Sequence, residues 1–394
     1  MELERIQSEL RRAGLDGWLF YDFHNRDPIA YRVLGLDYGK FTSRRWWYWV
    51  PAAGDPVRLV HKVEPTKLDA LSGAKRTYLS WKELHAALGE ILKGVQRVAM
   101  QFSPQAAIPY VSTVDGGTIE LIRSLGVEVV SSADLVQTFE AVIDEAGYRS
   151  HLAAGDKIQR IKDEAFERIG AAVRGGQRLT EYELQQWIVE QFEQQGLDCM
   201  GEFPIVGTDD HPADPHFEPT PANSRAFAPG QCVLIDLWAK LAQPGAIFYD
   251  ITWCAFIGDN PPPKYAEIFG VVRDARIAAV EFVRQRFGAG QRICGHEVDD
   301  ACRRVVVESG YGDYFIHRTG HSIGEEVHGN GVNIDNLETK DERELVPGIC
   351  FSIEPGIYLP GEMAVRSEID VFITPAGEVV VAGAEQQELI RIAV

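Results

Sequence analysis

The chain has 394 residues, 45% hydrophobic and 25% charged, the composition of a globular protein large enough for two domains. Its net charge of −19 argues against nucleic acid or an anionic membrane surface as a partner. No run approaches the ~18 uninterrupted apolar residues of a transmembrane helix. The opening MELERIQSELRRAG is a charged amphipathic pattern, not an apolar leader, so a cytoplasmic protein is expected.

Taken in chain order, the first elements alternate between β and α. Strands are expected at DGWLFYDF (16–23), RRWWYWVPA (44–52), VRLVHKV (57–63), RVAMQF (97–102) and VEVVSS (127–132). RIQSELRRAG, WKELHAALGEILKG and TIELIRSLG read as helices among them. The aromatic run FTSRRWWYWVP reads as core and edge strand, with an interface or pocket wall as the alternative. From Ala133 to Gly196 the pattern becomes helical, and Thr180 with Glu183 predicts a capping box. The domain boundary is expected near residue 150. That gives a small α/β domain over 1–150 and a larger α+β domain over 151–394. Beyond Gly201 come strands with turn signals, helices over 265–287 and 296–309, and further strands. All six cysteines lie in the second half and none forms CxxC, so neither a zinc ribbon nor a disulfide framework is indicated.

Three of the ten histidines crowd into HRTGHSIGEEVH, His317 to His328. The helical metalloprotease pattern HExxH does not fit, because Arg318 stands where its general base would be. Gly320 and Gly324 would each cost about 1 kcal/mol inside a helix. The segment therefore reads as loop and strand, and any metal must find further ligands elsewhere.

Two hairpin-like segments supply candidates. CVLIDLWAKLAQPGAIFYDITWCAFIG (232–258) carries Asp236 and Asp250 on two apolar runs around a Gln-Pro-Gly turn. ICFSIEPGIYLPGEMAVRSEIDVFIT (349–374) carries Glu354 and Glu368 around a Pro-Gly turn. In both, the turn lies between the acids, so each pair can meet across its strands. Each acid taken singly fits an edge strand or half of an ion pair. Four ionised carboxylates among Val, Ile, Leu and Phe need cations, and few lysines or arginines are expected beside them. Carboxylates with a neutral imidazole suit Mn, Co or Zn.

In order, VLID with Asp236, YDIT with Asp250, HRTGHSIGEEVH with His321, SIEPGIY with Glu354 and VRSE with Glu368 resemble the pita-bread metallopeptidases. That group comprises methionine aminopeptidase, aminopeptidase P, prolidase and the non-metal relative creatinase. The resemblance implies a pita-bread catalytic domain over 151–394 behind a creatinase-like amino-terminal domain over 1–150. It implies two divalent ions: Asp236 on one, Asp250 and Glu368 bridging, His321 and Glu354 each completing a shell, and Glu354 as proton shuttle. His328, His317 and His216 would be catalytic or substrate-contacting, His328 donating to the developing oxyanion, and Arg366 matches a family arginine that could contact substrate. His211, His24, His61, His85, His151 and His296 read as structural.

The expected reaction is hydrolysis of Xaa-Pro bonds in small peptides by a homodimer, as an Xaa-Pro dipeptidase. The alternatives are aminopeptidase P action on longer peptides and a catalytically silent peptide-binding relative. Three departures stand out. Trp253 replaces the arginine usual after Thr252, and the Asp236–Asp250 spacing is long for the family. HGNGVNIDN, after His328, lacks the arginine with which prolidases grip a dipeptide carboxylate.

Overall fold

A computed structural model describes residues 3–394; Met1 and Glu2 lie outside the described residues. The chain divides into two units, Met1–Glu140 and Ala141–Val394. The division falls ahead of residue 150, which lies inside a single helix running from Glu145 to Arg174. That helix starts on the Asp144 N-cap and buries residues along its whole length, so it belongs to one core and the boundary shifts to the loop before it.

The first unit runs α1 (Leu3–Arg12), β1 (Gly17–Asp22), α2 (Pro28–Leu34), β2 (Trp46–Pro51), β3 (Val57–His61), β4 (Ala74–Tyr78), α3 (Trp81–Ile91), β5 (Arg97–Met100), α4 (Gly116–Ser124), β6 (Glu128–Ser131) and α5 (Ala133–Glu140). Its sheet has the order β4-β3-β2-β1-β5-β6. The five expected strands all form. β4, AKRTY, gives no sequence signal because it is an edge strand with four exposed residues and no apolar alternation. α2 is short and is set by its start, where Asp27 accepts from the Ala30 amide ahead of Pro28. Trp46, Trp47, Tyr48 and Trp49 are buried, so the aromatic run is core, on an interior strand and not an edge.

The second unit runs α6 (Glu145–Arg174), α7 (Glu181–Gln194), β7 (Leu197–Asp198), β8 (Ile205–Thr208), β9 (Cys232–Leu241), β10 (Tyr249–Ile257), α8 (Pro263–Gly288), α9 (Gly295–Glu308), β11 (Ser322–Ile323), β12 (Cys350–Ile353), β13 (Gly356–Leu359), β14 (Met363–Arg366), β15 (Ile369–Ile373), β16 (Val379–Ala382) and β17 (Ile390–Ile392). The Thr180/Glu183 capping box opens α7 as expected. One sheet has the order β17-β10-β9-β7 with β8 also on β9, a second β11-β12-β15-β16, and β13-β14 form a ribbon. No described helix is long and apolar enough to cross a membrane.

The first expected hairpin forms as antiparallel β9 and β10. The second does not form as one hairpin. Ile353 pairs with Ile369 in β12/β15, while Gly356 pairs with Arg366 in β13/β14. Between them Pro355 has no amide proton to extend the ladder, and the chain passes from sheet to ribbon at Glu354-Pro355 and Ser367-Glu368.

Strand alternation separates core from site. Ile235, Leu237, Ala239, Ile251 and Ala255 pack with Ile158 and Ile161 of α6, so Asp236, Asp250 and Thr252 face the other way. A second cluster joins Ile268, Val272, Val298 and Cys302 of α8 and α9 to Phe351, Ile353, Val365 and Ile369. The acids therefore emerge between two apolar layers.

Gly320 bridges to Ile334, and a Cβ there would stand 1.9 Å from the Ser352 carbonyl oxygen. Only glycine lets the segment carrying His321 lie this close to β12. Gly320→Ala should destabilise the fold by about 1–3 kcal/mol through overpacking. Calorimetry should show the melting temperature lowered by several degrees.

Candidate metal centre

Asp236 lies opposite Thr252 and Asp250 opposite Trp238, so the two aspartates are diagonal neighbours on one face of the β9/β10 pair. Glu354 and Glu368 come from the two crossings between sheet and ribbon. The Glu354 amide donates to the Thr319 carbonyl at 2.7 Å, and the Glu368 amide to the Thr252 carbonyl at 3.2 Å. The Thr252 hydroxyl donates to Glu368 Oε2 at 2.8 Å. His321 follows Gly320, its amide bonded to Ser352 Oγ at 2.9 Å. Its Nε2 stands 3.4 Å from Glu354 Oε1 and 3.8 Å from Asp250 Oδ2. Asp250, His321 and Glu368 each present a ligand atom within 4.8 Å of the others.

Burial controls the charge here. Asp236, Asp250 and Glu368 are 6%, 4% and 2% exposed. Desolvation, compounded by the neighbouring carboxylates, raises Asp250 and Glu368 well above the usual carboxylate range. Burial pushes Glu354 up to about 7, with Arg366 opposing. Desolvation likewise drives His321 far below its ordinary value and His317 down to about 3, so both imidazoles are neutral. Asp236 Oδ1, Asp250 Oδ1 and Glu368 Oε1 are buried with no hydrogen-bond partner. Such atoms are costly to leave unsatisfied.

The cation beside these acids is Arg366. It is buried and bonds Asp236 Oδ2, Thr252 Oγ1 at 3.0 Å and the Tyr358 hydroxyl at 3.0 Å. Its donors are turned onto Asp236, Thr252 and Tyr358. Tyr358 and Thr252 are further members of the site that sequence reasoning missed. Their signal was spacing: Thr252 is two residues from Asp250 on one strand face, and Tyr358 closes SIEPGIY. Asp370 was also missed. Its Oδ2 accepts from the Asp250 amide at 2.8 Å, and His151, read as structural, is buried with Nε2 3.8 Å from that oxygen.

His317 lies beside the acids, with Nε2 2.6 Å from the Tyr358 hydroxyl. The His328 ring centroid is 4.4 Å from that of His321, and the residue is exposed. Ring desolvation lowers His328 to about 4, with Arg318 and His216 adding to the effect, which places His216 within electrostatic reach. His211 instead bonds buried Glu181 at 2.9 Å and stays structural. Trp253, the departure after Thr252, carries the Lys162 ammonium 3.5 Å from its ring centroid, a cation–π contact in the layer behind the site.

Comparison with known proteins gives this arrangement a context. The pattern of metallopeptidase family M24 matches residues 153–375. The chain belongs to that family. It is 30% identical over 330 residues to the probable dipeptidase PepE of Mycobacterium bovis, covering 84% of this chain and 81% of the relative. It is 35% identical over 173 residues to the Xaa-Pro dipeptidase of Lactobacillus helveticus, 44% and 42% of the two chains. The crystal structure of dipeptidase PepE from Mycobacterium ulcerans superposes with a TM-score of 0.70 at 26% identity, over 100% of this chain and 97% of that one. The second unit thus has the pita-bread fold, and the protein is a metallopeptidase of a family that uses divalent metal ions.

The residues fit such ions. Four carboxylates and a neutral imidazole form a hard, anionic donor set, and three buried carboxylate oxygens lack any other partner. Removing metal should leave an inverted pH response. Folded-state carboxyls raised above their unfolded values bind protons more tightly, so the metal-free protein gains stability as pH falls. Each group contributes at most about 1.4 kcal/mol per pH unit. Between pH 8.5 and 7.5, above the range where the buried neutral histidines would take up protons on unfolding and oppose the trend, the metal-free melting temperature should rise. Metal-loaded protein should lose that rise, and equal slopes for the two forms would contradict the site.

Proposed function

We propose that this enzyme is an Xaa-Pro dipeptidase that holds two divalent ions, Mn or Co in preference to Zn, with Asp236, Asp250, His321, Glu354 and Glu368. The observation that carries the metal reading is the convergence of partnerless, buried carboxylate oxygens on one neutral histidine. The ions, when bound, activate the attacking water and polarise the scissile carbonyl. The Xaa-Pro specificity is supported by the likeness to the Xaa-Pro dipeptidase of Lactobacillus helveticus.

The chain's own groups then have separable tasks. Glu354, buried beside the other acids, takes the proton that the attacking water loses and returns it to the departing proline nitrogen. His328, beside His321 and exposed at the mouth, donates to the carbonyl oxygen as it gains charge. His317, its ring held by the Tyr358 hydroxyl and the Arg318 carbonyl, lines the substrate site, and His216 acts from within electrostatic reach of His328. Arg366 holds Asp236 in place and is not available to grip a substrate carboxylate. The positive charge of Arg318 bears on His317, His321, His328 and Glu354, which favours an anionic substrate group there despite the arginine missing from HGNGVNIDN.

Metal-free protein reloaded with manganese should release proline from Ala-Pro faster than alanine from Ala-Pro-Ala. Preference for the tripeptide would move the assignment to aminopeptidase P, and cleavage of neither would favour a silent binding protein. Asp236→Asn should abolish activity and reduce bound metal, read by mass spectrometry. His328→Ala should keep its metal and lose about 10²–10³-fold in kcat, the cost of removing one oxyanion donor. Full metal loading with full activity in Asp236→Asn would sink the metal assignment.

A further inference from the structure

His317 sits in irregular chain between α9 and the Gly320–Ile334 bridge, with no strand to fix it. Its ring is tied at one edge to its neighbour's backbone, Nδ1 lying 2.6 Å from the Arg318 carbonyl oxygen. The ring therefore points wherever the backbone at 317–318 directs it. That backbone is gripped from both sides by two residues one turn apart on α9.

Asp299 is fully buried. Its carboxylate accepts from the Thr319 amide at 3.0 Å and the Thr319 hydroxyl at 2.5 Å, just after His317. It also accepts from the Asn336 amide at 3.1 Å, tying in the segment beyond the bridge. Arg303 binds the same carboxylate through Nε at 3.1 Å and Nη2 at 3.0 Å. Its remaining donors reach the carbonyl oxygens on the other side: Nη1 to Phe315 at 2.9 Å and Nη2 to His317 itself at 2.8 Å. Its guanidinium lies 4.0 Å from the Phe315 ring centroid. Neither residue is among the groups assigned to metal or substrate.

We propose that Asp299 and Arg303 are positioning residues that set His317 against Tyr358 and so determine how tightly the substrate is held, a proposal that rests on the peptidase reading of the site. The arrangement calls for arginine. One planar fork meets a carboxylate, two carbonyl oxygens and a ring face together, which the single ammonium of lysine cannot do. The line of contact continues from His317 through Tyr358 to Arg366 and Asp236, so the α9 clamp, a substrate histidine and a metal-site acid share one hydrogen-bonded path.

The test is a double-mutant cycle on full-length, manganese-loaded enzyme, with Arg303→Lys, His317→Ala and the two combined. Arg303→Lys should raise KM for Ala-Pro about tenfold with metal content unchanged, and the double variant should be no worse than His317→Ala alone. Full additivity, or an unchanged KM, would overturn the proposal. Asp299→Asn, which keeps the shape and one accepting oxygen, provides a second variant should Arg303→Lys fold poorly, with the same expected pattern.

A separate readout does not depend on peptide cleavage. In protein labelled with 15N-histidine, the ring signal of His317, assigned by its loss in His317→Ala, should shift in Arg303→Lys while that of His85 stays fixed. An unmoved His317 signal rejects the positioning role even if activity falls. If wild type cleaves no Xaa-Pro peptide, the dipeptidase reading fails, whereas the ring signal still decides the clamp.

Discussion

Burying several carboxylates together is the constraint from which the rest of this unit follows. Each acid loses hydration that water would have supplied, and each raises the cost of ionising the next. The chain can meet that cost with protons, with its own cations or with metal, and it uses the first two only in part. Arg366 answers one oxygen of Asp236, and the Thr252 hydroxyl answers one of Glu368. The partner oxygens of both acids, and Oδ1 of Asp250, remain without a donor. The unit thus keeps acceptors open in a place where open acceptors are expensive, which makes sense where a cation binds.

Holding such a centre requires rigid walls, and the alternation of β9 and β10 provides them. Odd positions lock into the α6 layer and even positions deliver Asp236, Asp250 and Thr252 to the opposite face. Charge follows the same division of labour. Residues 1–140 contain 17 Lys+Arg and 17 Asp+Glu, so the whole of the −19 resides in residues 141–394. A strongly anionic unit attracts cations, which favours the loading of divalent metal.

Much of this was legible in the sequence because it is written in period. The strands of the first unit, the β9/β10 hairpin and the long helices all carry alternation or amphipathic spacing, and the four motif acids and the histidine stand in recognisable settings. What escaped had no periodic signature. β4 is polar at four of five positions, and residue 150 sits in an uninterrupted helix that looks the same on either side. The split of 349–374 into two strand pairs turns on Pro355, whose effect on a ladder depends on which partner it meets. Arg366 was visible, but its target was not. A buried arginine's role is set by distances in space, here to Asp236 and Tyr358, that spacing along the chain does not encode.

Arg366 also changes how the departures from the family pattern should be weighed. An arginine bonded to Asp236 lowers the cost of burying the acids without metal, since it offsets part of their negative charge. The same commitment removes it from the list of groups that could meet a substrate carboxylate. On the proposed reading, the groups left to meet substrate are those of the irregular segment 315–328, where His317, Arg318 and His328 all lie. That segment has little secondary structure of its own, and Gly320 presses it against β12 while Asp299 and Arg303 hold it from α9. Asp236, Asp250, Glu354 and Glu368 are fixed on or beside sheet strands, and His317, Arg318 and His328 by a tethered loop. Asp299 and Arg303 tether the loop without touching Asp236, Asp250, His321, Glu354 or Glu368, whereas Gly320 adjoins His321 and bears on both the loop and the site.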